Sequence, residues 1–390
     1  MNVKNAKKPQ KRVETNYEQR FRMQSYGSDN LYPQNIMAIT GASGTAQLCL
    51  NRYEKFVEGY GFDDDILAGW QINRDGTTTD DLLKSVAGDL CQFGGFALHV
   101  NYNVFGQITE VNYIPFEQLR LEEFDDAGYV AHILQHIDWK GEKTRNGKKQ
   151  MVQERFITRF NVFNPDPVVV MAQIENCGGI ENYKGQVLWV SQDGKYDYPT
   201  PIYDSAITEI STDEGLGNIK YRNVRNNFLV ACMLIAKKGS PRINDKGELE
   251  ERQMIADEDL KQFQGDTKGS KILYVELEND EDEPKVVNFP VKNFDKDFET
   301  TDSSVTERIY AQFHQELFYA IRIGKLGFSG DVMQDAYEYY AGEVTPEQRF
   351  IERVFEKVFA HWADETMPKN FSIRPLKYIS ATSNNKSNGE

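Results

Sequence analysis

The spacing of apolar residues changes several times along this chain, and each change predicts an element. After the turn Asp29-Asn30-Leu31-Tyr32-Pro33, Leu48, Leu50, Tyr53 and Phe56 predict a helix from about Thr45 to Phe56. A second helix begins at Thr79-Asp80-Asp81, a cluster of N-capping side chains, with Leu82, Leu83, Val86 and Leu90 at helical spacing. Gly94-Gly95 ends it. The period then drops to two. Phe96, Leu98 and Val100 alternate with Ala97, His99 and Asn101, which predicts a strand turned by Asn103-Val104-Phe105-Gly106. Gln107–Ile114 follows as a second strand, closed by Pro115. Tyr129–Trp139, Val152–Val162, Val168–Ile174 and Gly185–Ser191 are further strand candidates. Lys140–Gln150 reads as a charged hairpin tip around Asn146-Gly147. Residues 30–200 therefore predict one α+β domain, two helices followed by an antiparallel sheet.

Tyr198-Pro199-Thr200-Pro201 is a stiff linker, since each proline fixes its φ. A long helix is expected from Tyr203 to Asn227, with a kink or short break at Gly215 and Gly217. An excursion follows. Phe228–Ala236 reads as a strand, Lys237-Lys238-Gly239-Ser240-Pro241 as a turn and Ala256–Gln264 as a short helix. Lys271–Leu277 and Lys285–Phe289 read as strands. A second long helix is expected from Phe294 to Arg322, with Val305, Ile309, Phe313, Leu317 and Ile321 forming one stripe. Such a helix would be about 42 Å long at ~1.5 Å per residue. Its acidic start, Asp295 to Asp302, suits a helix N-terminus. The glycine-broken loop Gly324–Gly330 comes next. The final helix opens at Thr345-Pro346-Glu347-Gln348, with Thr as cap, Pro at the first helical position and Gln348 as capping-box partner. Phe350, Ile351, Val354, Phe355, Val358, Phe359 and Trp362 give it a wide apolar face.

The totals narrow the function. The 390 residues give a prior of two or three domains. With 39% hydrophobic and 27% charged residues, the composition is that of an ordinary soluble protein. A net charge of −15 argues against gripping DNA over the whole surface, though not against letting DNA pass. Cys49, Cys91, Cys177 and Cys232 show no CxxC spacing and read as reduced thiols. No apolar run approaches the ~18 residues that a membrane helix needs, and no signal peptide is recognised. Residues 1–28 form a basic arm, with Lys4, Lys7, Lys8, Lys11, Arg12, Arg20 and Arg22 against Glu14 and Glu18. An anionic partner is conceivable there, and a solvated tail is the plainer reading. The tail 380–390 is polar and is expected to be disordered.

The residues offer little catalytic chemistry. There is no GxxxxGK[ST], HExxH, GxSxG or EF-hand loop. Gly41-Ala42-Ser43-Gly44 reads as a turn. His132 and His136 would share a face, but no third ligand is identifiable. The run Glu278-Asn279-Asp280-Glu281-Asp282-Glu283 lacks the glycine and spacing of a metal loop. No cofactor and no metal site is expected.

Several short pieces, taken in order, resemble tailed-bacteriophage portal proteins of the compact HK97/SPP1-like kind. They are Leu31-Tyr32-Pro33; Phe56-Val57-Glu58-Gly59-Tyr60-Gly61-Phe62; Gly95–Val100 with Gly106-Gln107-Ile108; and Ile114-Pro115-Phe116 through Leu119-Arg120. Tyr198–Tyr203 and Arg225–Phe228 follow, then Gly269–Val275, Ala336-Tyr337, Tyr339-Tyr340 and Thr345–Ile351. The resemblance spans roughly residues 29–362. It implies a wing over 29–200, a stem helix over 201–227, a clip over 228–290 and a second stem helix over 291–322. A tunnel loop over 323–342 and a C-terminal wing or short crown helix over 343–379 complete it. It further implies a non-enzymatic ring of about twelve subunits at one capsid vertex, through which double-stranded DNA is packaged and ejected. The implied partners are the terminase large subunit, a head–tail adaptor and a major capsid or scaffold protein, with no membrane. Arg322 and Lys325, with Lys237 and Lys238, are the candidate DNA contacts. The competing readings are a metal-dependent nucleic-acid-processing enzyme and a non-portal structural or adaptor protein of a virion.

Overall fold

The computed structural model describes Val13 and residues 15–141, 144–145, 148–149, 152–193, 197–225, 294–327 and 329–379. It also describes strand segments 232–237, 242–243, 249–250, 272–277 and 285–288, while side chains are described only outside 142–151 and 222–298. The chain divides into two compact units, Met1–Ile210 with Glu307–Glu390, and Ser211–Thr306. The mixture of helix and sheet is α+β, as the changes of period predict.

The first unit begins with α1 (Tyr32–Ala42), α2 (Gly44–Glu58), the short α3 (Asp65–Ala68) and α4 (Thr79–Phe93). α4 starts one residue after its cap, Thr78, and Thr78 and Asp81 form a reciprocal capping box. Leu82, Leu83, Val86 and Leu90 are all buried, so the predicted stripe is the packed face. Burying each such side chain stabilises by about 1.5–3 kcal/mol. Gly94 closes α4 in the left-handed region, at φ 76°. A Cβ there would stand 2.3 Å from the Thr200 carbonyl oxygen, so the close return of the chain requires glycine.

The strands are β1 (Gly95–Tyr102), β2 (Ile108–Tyr113), β3 (Leu119–Leu121), β4 (His132–Gln135), β5 (Thr158–Val162) and β6 (Gln186–Ser191). They form one six-stranded sheet in the order β2-β1-β6-β5-β4-β3. It is not purely antiparallel, because β6 pairs parallel to β5 while its other neighbour, β1, is antiparallel. The cause lies in Val168–Ile174, which is not a strand but part of α5 (Pro167–Asn176). Asp166 accepts a hydrogen bond from the Val168 N–H at 2.9 Å, and Pro167 takes the first helical position. These start signals outweigh the β-preference of three successive valines. A helix between neighbouring strands is the usual crossover that makes them parallel. The strand expected over Val152–Val162 is shortened by a 3-10 turn at Glu154–Phe156. At the expected hairpin tip, Thr144–Arg145 pairs with Lys148–Lys149, and Asn146-Gly147 between them lies outside the described residues.

The remaining helices of this unit come from the C-terminal third. The stripe expected on one helix from Phe294 to Arg322 belongs to two helices, α7 (Phe294–Gln312) and α8 (Glu316–Arg322). The segment from Gly324 is loop only as far as Ser329, where α9 (Gly330–Glu343) begins with the Ser329 side chain as its cap. The single residue Val344 separates α9 from α10 (Thr345–Phe359). The expected cap of α10 therefore does not form. The Thr345 hydroxyl donates instead to the Ala341 carbonyl at 2.8 Å, and Gln348 is buried, donating to the Phe56 carbonyl at 2.9 Å. With α9 running almost directly into α10, no free turn is left to be capped. Ile351, Phe355, Val358 and Phe359 are buried on the predicted apolar face, and the Phe355 ring lies 5.4 Å from Phe62. Beyond α10, the Tyr60 N–H donates to the Arg374 carbonyl, and the Asp63 N–H to that of Ser372.

The second unit contains most of α6 (Ile207–Arg225) and the first part of α7. α6 runs unbroken through Gly215 and Gly217, so the expected break is absent. Between the helices stand β7 (Cys232–Lys237), β8 (Ile272–Leu277) and β9 (Lys285–Asn288). β7 is central, parallel to β8 and antiparallel to β9. The expected turn at 238–241 and the helix Ala256–Gln264 lie outside the described residues. Lys220 on α6 pairs with Asp302 on α7 at 2.7 Å. Nearer the other ends of these helices, in the first unit, Arg308 pairs with Glu209 at 3.3 Å. The two helices thus pair with opposite chain direction.

Candidate functional site

The candidate DNA contacts depend on how α8 is held. α7 ends at Gln312, and His314 takes the left-handed conformation at φ 55°. That is an uncommon conformation for a residue other than glycine and marks a fixed break. Gln315, fully buried, occupies the break and uses its whole carboxamide. Its Nε2 donates to the Cys49 carbonyl and to the Tyr340 hydroxyl oxygen, both at 2.8 Å. Its Oε1 accepts from Arg52 Nη1 at 3.0 Å. Tyr340 in turn donates to the Phe313 carbonyl at 3.0 Å, and burial raises its pKa. Gln315 therefore ties the break to α2 and α9, and Tyr340 carries the link on to Phe313, just past the end of α7. Aromatic packing reinforces it, with Tyr53 at 6.5 Å from Phe313 and Phe56 at 6.1 Å from Phe318.

α8 presents Arg322 and leads into the loop that bears Lys325. Both are exposed, beside the partly exposed Ile323 and Leu326. Arg322 Nη1 donates to the Tyr310 hydroxyl at 2.9 Å, and that bond raises the guanidinium pKa further. A cation at a helix C-terminus is also favoured by the helix dipole. The two charges thus stand at the end of a braced helix, suited to holding a phosphate or carboxylate. Lys237 is the last residue of β7, and Lys238 lies outside the described residues.

Gln315, Tyr340, Arg52 and Tyr310, which set this geometry, were not legible as site residues. Gln315 stands two residues from both Phe313 and Leu317, off the apolar stripe, so nothing in the sequence singled it out. His132 and His136 do not form a metal pair. His132 Nδ1 lies 2.6 Å from Glu122 Oε2, and His136 Nδ1 accepts from the Asp138 N–H at 3.0 Å. Among the described residues no group of three or more His, Cys, Asp or Glu side chains is placed to hold a metal ion. No helix among them is long and apolar enough to cross a membrane.

No protein-family model and no curated protein matches this chain. Among solved structures, it is similar to the neck of an empty gene transfer agent particle, with TM-score 0.48 and 13% identity, covering 85% of this chain and 81% of that one. The neck of the native particle, computed with C12 symmetry, gives TM-score 0.45 and 12% identity over 85% and 82%. All these TM-scores are below 0.5, and the functional reading rests on the chain's own elements. The chain is also similar to an HK97 family phage portal protein from Corynebacterium diphtheriae, over 92% of its own length and 98% of that chain, at 10% identity and TM-score 0.38.

Proposed function

We propose that the protein is a portal subunit of a tailed-phage-like particle, located in the virion at the portal vertex of the capsid. About twelve copies would form a ring through which double-stranded DNA is packaged and ejected. The observation that carries this reading is the inserted unit. Two long helices of opposite chain direction leave and re-enter the first unit, and a three-stranded sheet stands between them in sequence. The first unit supplies the wing, α6 and α7 the stem, and the strands β7–β9 the clip. The loop 323–329, at the end of the braced α8, supplies the tunnel contact. The ring performs no chemistry of its own. A terminase large subunit, a head–tail adaptor and a capsid or scaffold protein are its partners.

The acidic balance fits such a channel. Each phosphate neutralised by Lys or Arg adds affinity through counterion release, so a wall rich in cations would retain the duplex. A chain of net charge −15 with few basic contacts lets it slide. Arg322, Lys325, Lys237 and Lys238 are the proposed contacts.

The test is the mass of the purified protein in solution, with negative-stain images of the same sample. Rings of about twelve subunits with a central hole are expected. A chain that remains a monomer of 44.8 kDa at all concentrations, alone and with capsid protein, would remove the proposal. In assembled rings, Lys325→Glu is expected to weaken duplex binding at low salt; binding unchanged from wild type would take Lys325 off the channel wall.

A further inference from the structure

We propose that the exposed face of α10, with the cleft beside its N-terminal half, docks an acidic protein segment bearing one apolar anchor residue. This site lies away from Arg322 and Lys325 in sequence and does not depend on the ring reading. Arg349, Arg353 and Lys357 recur every four residues and are all exposed. On a helix that spacing places them on one stripe, where like charges destabilise each other. The helix itself gains nothing from such a stripe. Among the described residues none of the three forms an ion pair. Lys357 has only the Phe163 ring, 5.9 Å away. Two of the helix's three carboxylates accept hydrogen bonds elsewhere. Glu347 accepts from Gln192 at 3.1 Å, and Glu352 from the Ile373 N–H at 2.8 Å. Glu356 is exposed and also makes no ion pair. In a chain with an excess of fifteen negative charges, this is a row of three cations without an ion pair among the described residues.

The shape beside them identifies the partner's class. A cleft of about 510 Å³ is lined by Gln192, Pro346 and Phe350 together with Arg349 and Arg353. Its walls are preformed, because the Phe350 ring stands edge-on to Phe96 at 6.3 Å and Gln192 is held by Glu347. A phenylalanine and a proline lining one cleft with two arginines suit a leucine or aromatic side chain flanked by carboxylates. Arginine can pair bidentately with such carboxylates. Nucleic acid is the poorer fit, since it has no apolar side chain to seat.

The test uses the full-length protein and a short fluorescein-labelled peptide, glutamates around a single central phenylalanine, read by anisotropy. Saturable binding that weakens with salt is expected, with none for the same peptide carrying glutamines. Arg349→Ala/Arg353→Ala is expected to weaken it by roughly tenfold or more. Lys357→Gln should weaken it less, and Arg349→Lys/Arg353→Lys should retain part of it. The substituted side chains are exposed, so unchanged thermal melting is expected to accompany the loss. The proposal is overturned by absence of saturable binding, by equal affinity in the double alanine variant, or by duplex DNA binding this face more tightly than the peptide.

Discussion

Arg120→Ala is expected to lower the free energy of unfolding by about 3–5 kcal/mol, read by chemical denaturation or as a matching drop in melting temperature. Arg120 is completely buried, yet none of its described partners is a carboxylate. Its Nε donates to Asn30 Oδ1 at 2.6 Å, and its Nη2 to the Asn30 carbonyl at 2.7 Å and to Gln34 Oε1 at 3.3 Å. Its Nη1 donates to the Leu119 and Glu117 carbonyls at 2.6 and 3.0 Å. The rings of Tyr26 and Trp139 lie 5.6 and 5.2 Å from the guanidinium carbon. Burial pulls its pKa down to about 10, which still leaves it charged at neutral pH. The cation thus joins the start of α1 to β3 and to the turn before it. Alanine would leave five acceptors facing a void, and an orphaned buried polar group costs about 1–3 kcal/mol. Arg120→Met, which fills most of the volume, should remain destabilised because each acceptor loses a charged donor. Among the described residues, only Asn30 Oδ1, from the Tyr26 N–H, and the Glu117 carbonyl, from Gln34 Nε2, keep another side-chain or loop partner. A loss below about 1 kcal/mol in both variants would show that water or rearranged side chains replace the guanidinium.

Gln315→Ala is expected to cost about 2–4 kcal/mol, because two buried groups and the half-buried Arg52 each lose a hydrogen bond at once. The Cys49 carbonyl, the Tyr340 hydroxyl and the Arg52 guanidinium all converge on this carboxamide. The effect should also be local. Amide hydrogen exchange should speed up in α8 and in the last turn of α9 before it changes in the six-stranded sheet. Tyr340→Phe, which removes one hydroxyl from the same network, should be less than additive with Gln315→Ala, as expected for residues in contact. Strict additivity of the two, or exchange that rises uniformly over the unit, would show that Gln315 does not govern the break.

The sequence was most legible where the pattern is local. The stripe of α4, the alternation of β1 and the strands β8 and β9 could be read within a residue or two. Three errors have physical causes. A run of valines concealed the helix start at Asp166-Pro167. The break at His314 contains neither glycine nor proline, so nothing local announces it; the carboxamide of Gln315, distant in sequence from its partners, holds it open. Closely spaced glycines from Gly324 to Gly330 announced a loop, whereas α9 begins at the last of them. The candidate site was legible only as exposed charge. Arg120 and Gln315 were invisible because polar residues are ordinarily surface residues, and their burial depends on acceptors contributed from far along the chain.

The strand order of the sheet carries a consequence for synthesis. β6 is the last of the six strands to be made and lies between β1 and β5, so it alone joins the two halves. His99 and the Lys184 carbonyl, hydrogen-bonded beside that junction, are 85 residues apart. Until the ribosome has released residues 186–191, the β1–β2 hairpin and the β3–β4–β5 group each expose an unpaired edge. Closing so long a loop is entropically slow, and open edges recruit other chains. Nascent subunits at high local concentration would therefore be most prone to strand exchange during this interval. A chaperone that shields strand edges would raise the yield of native protein more than one that favours helix formation.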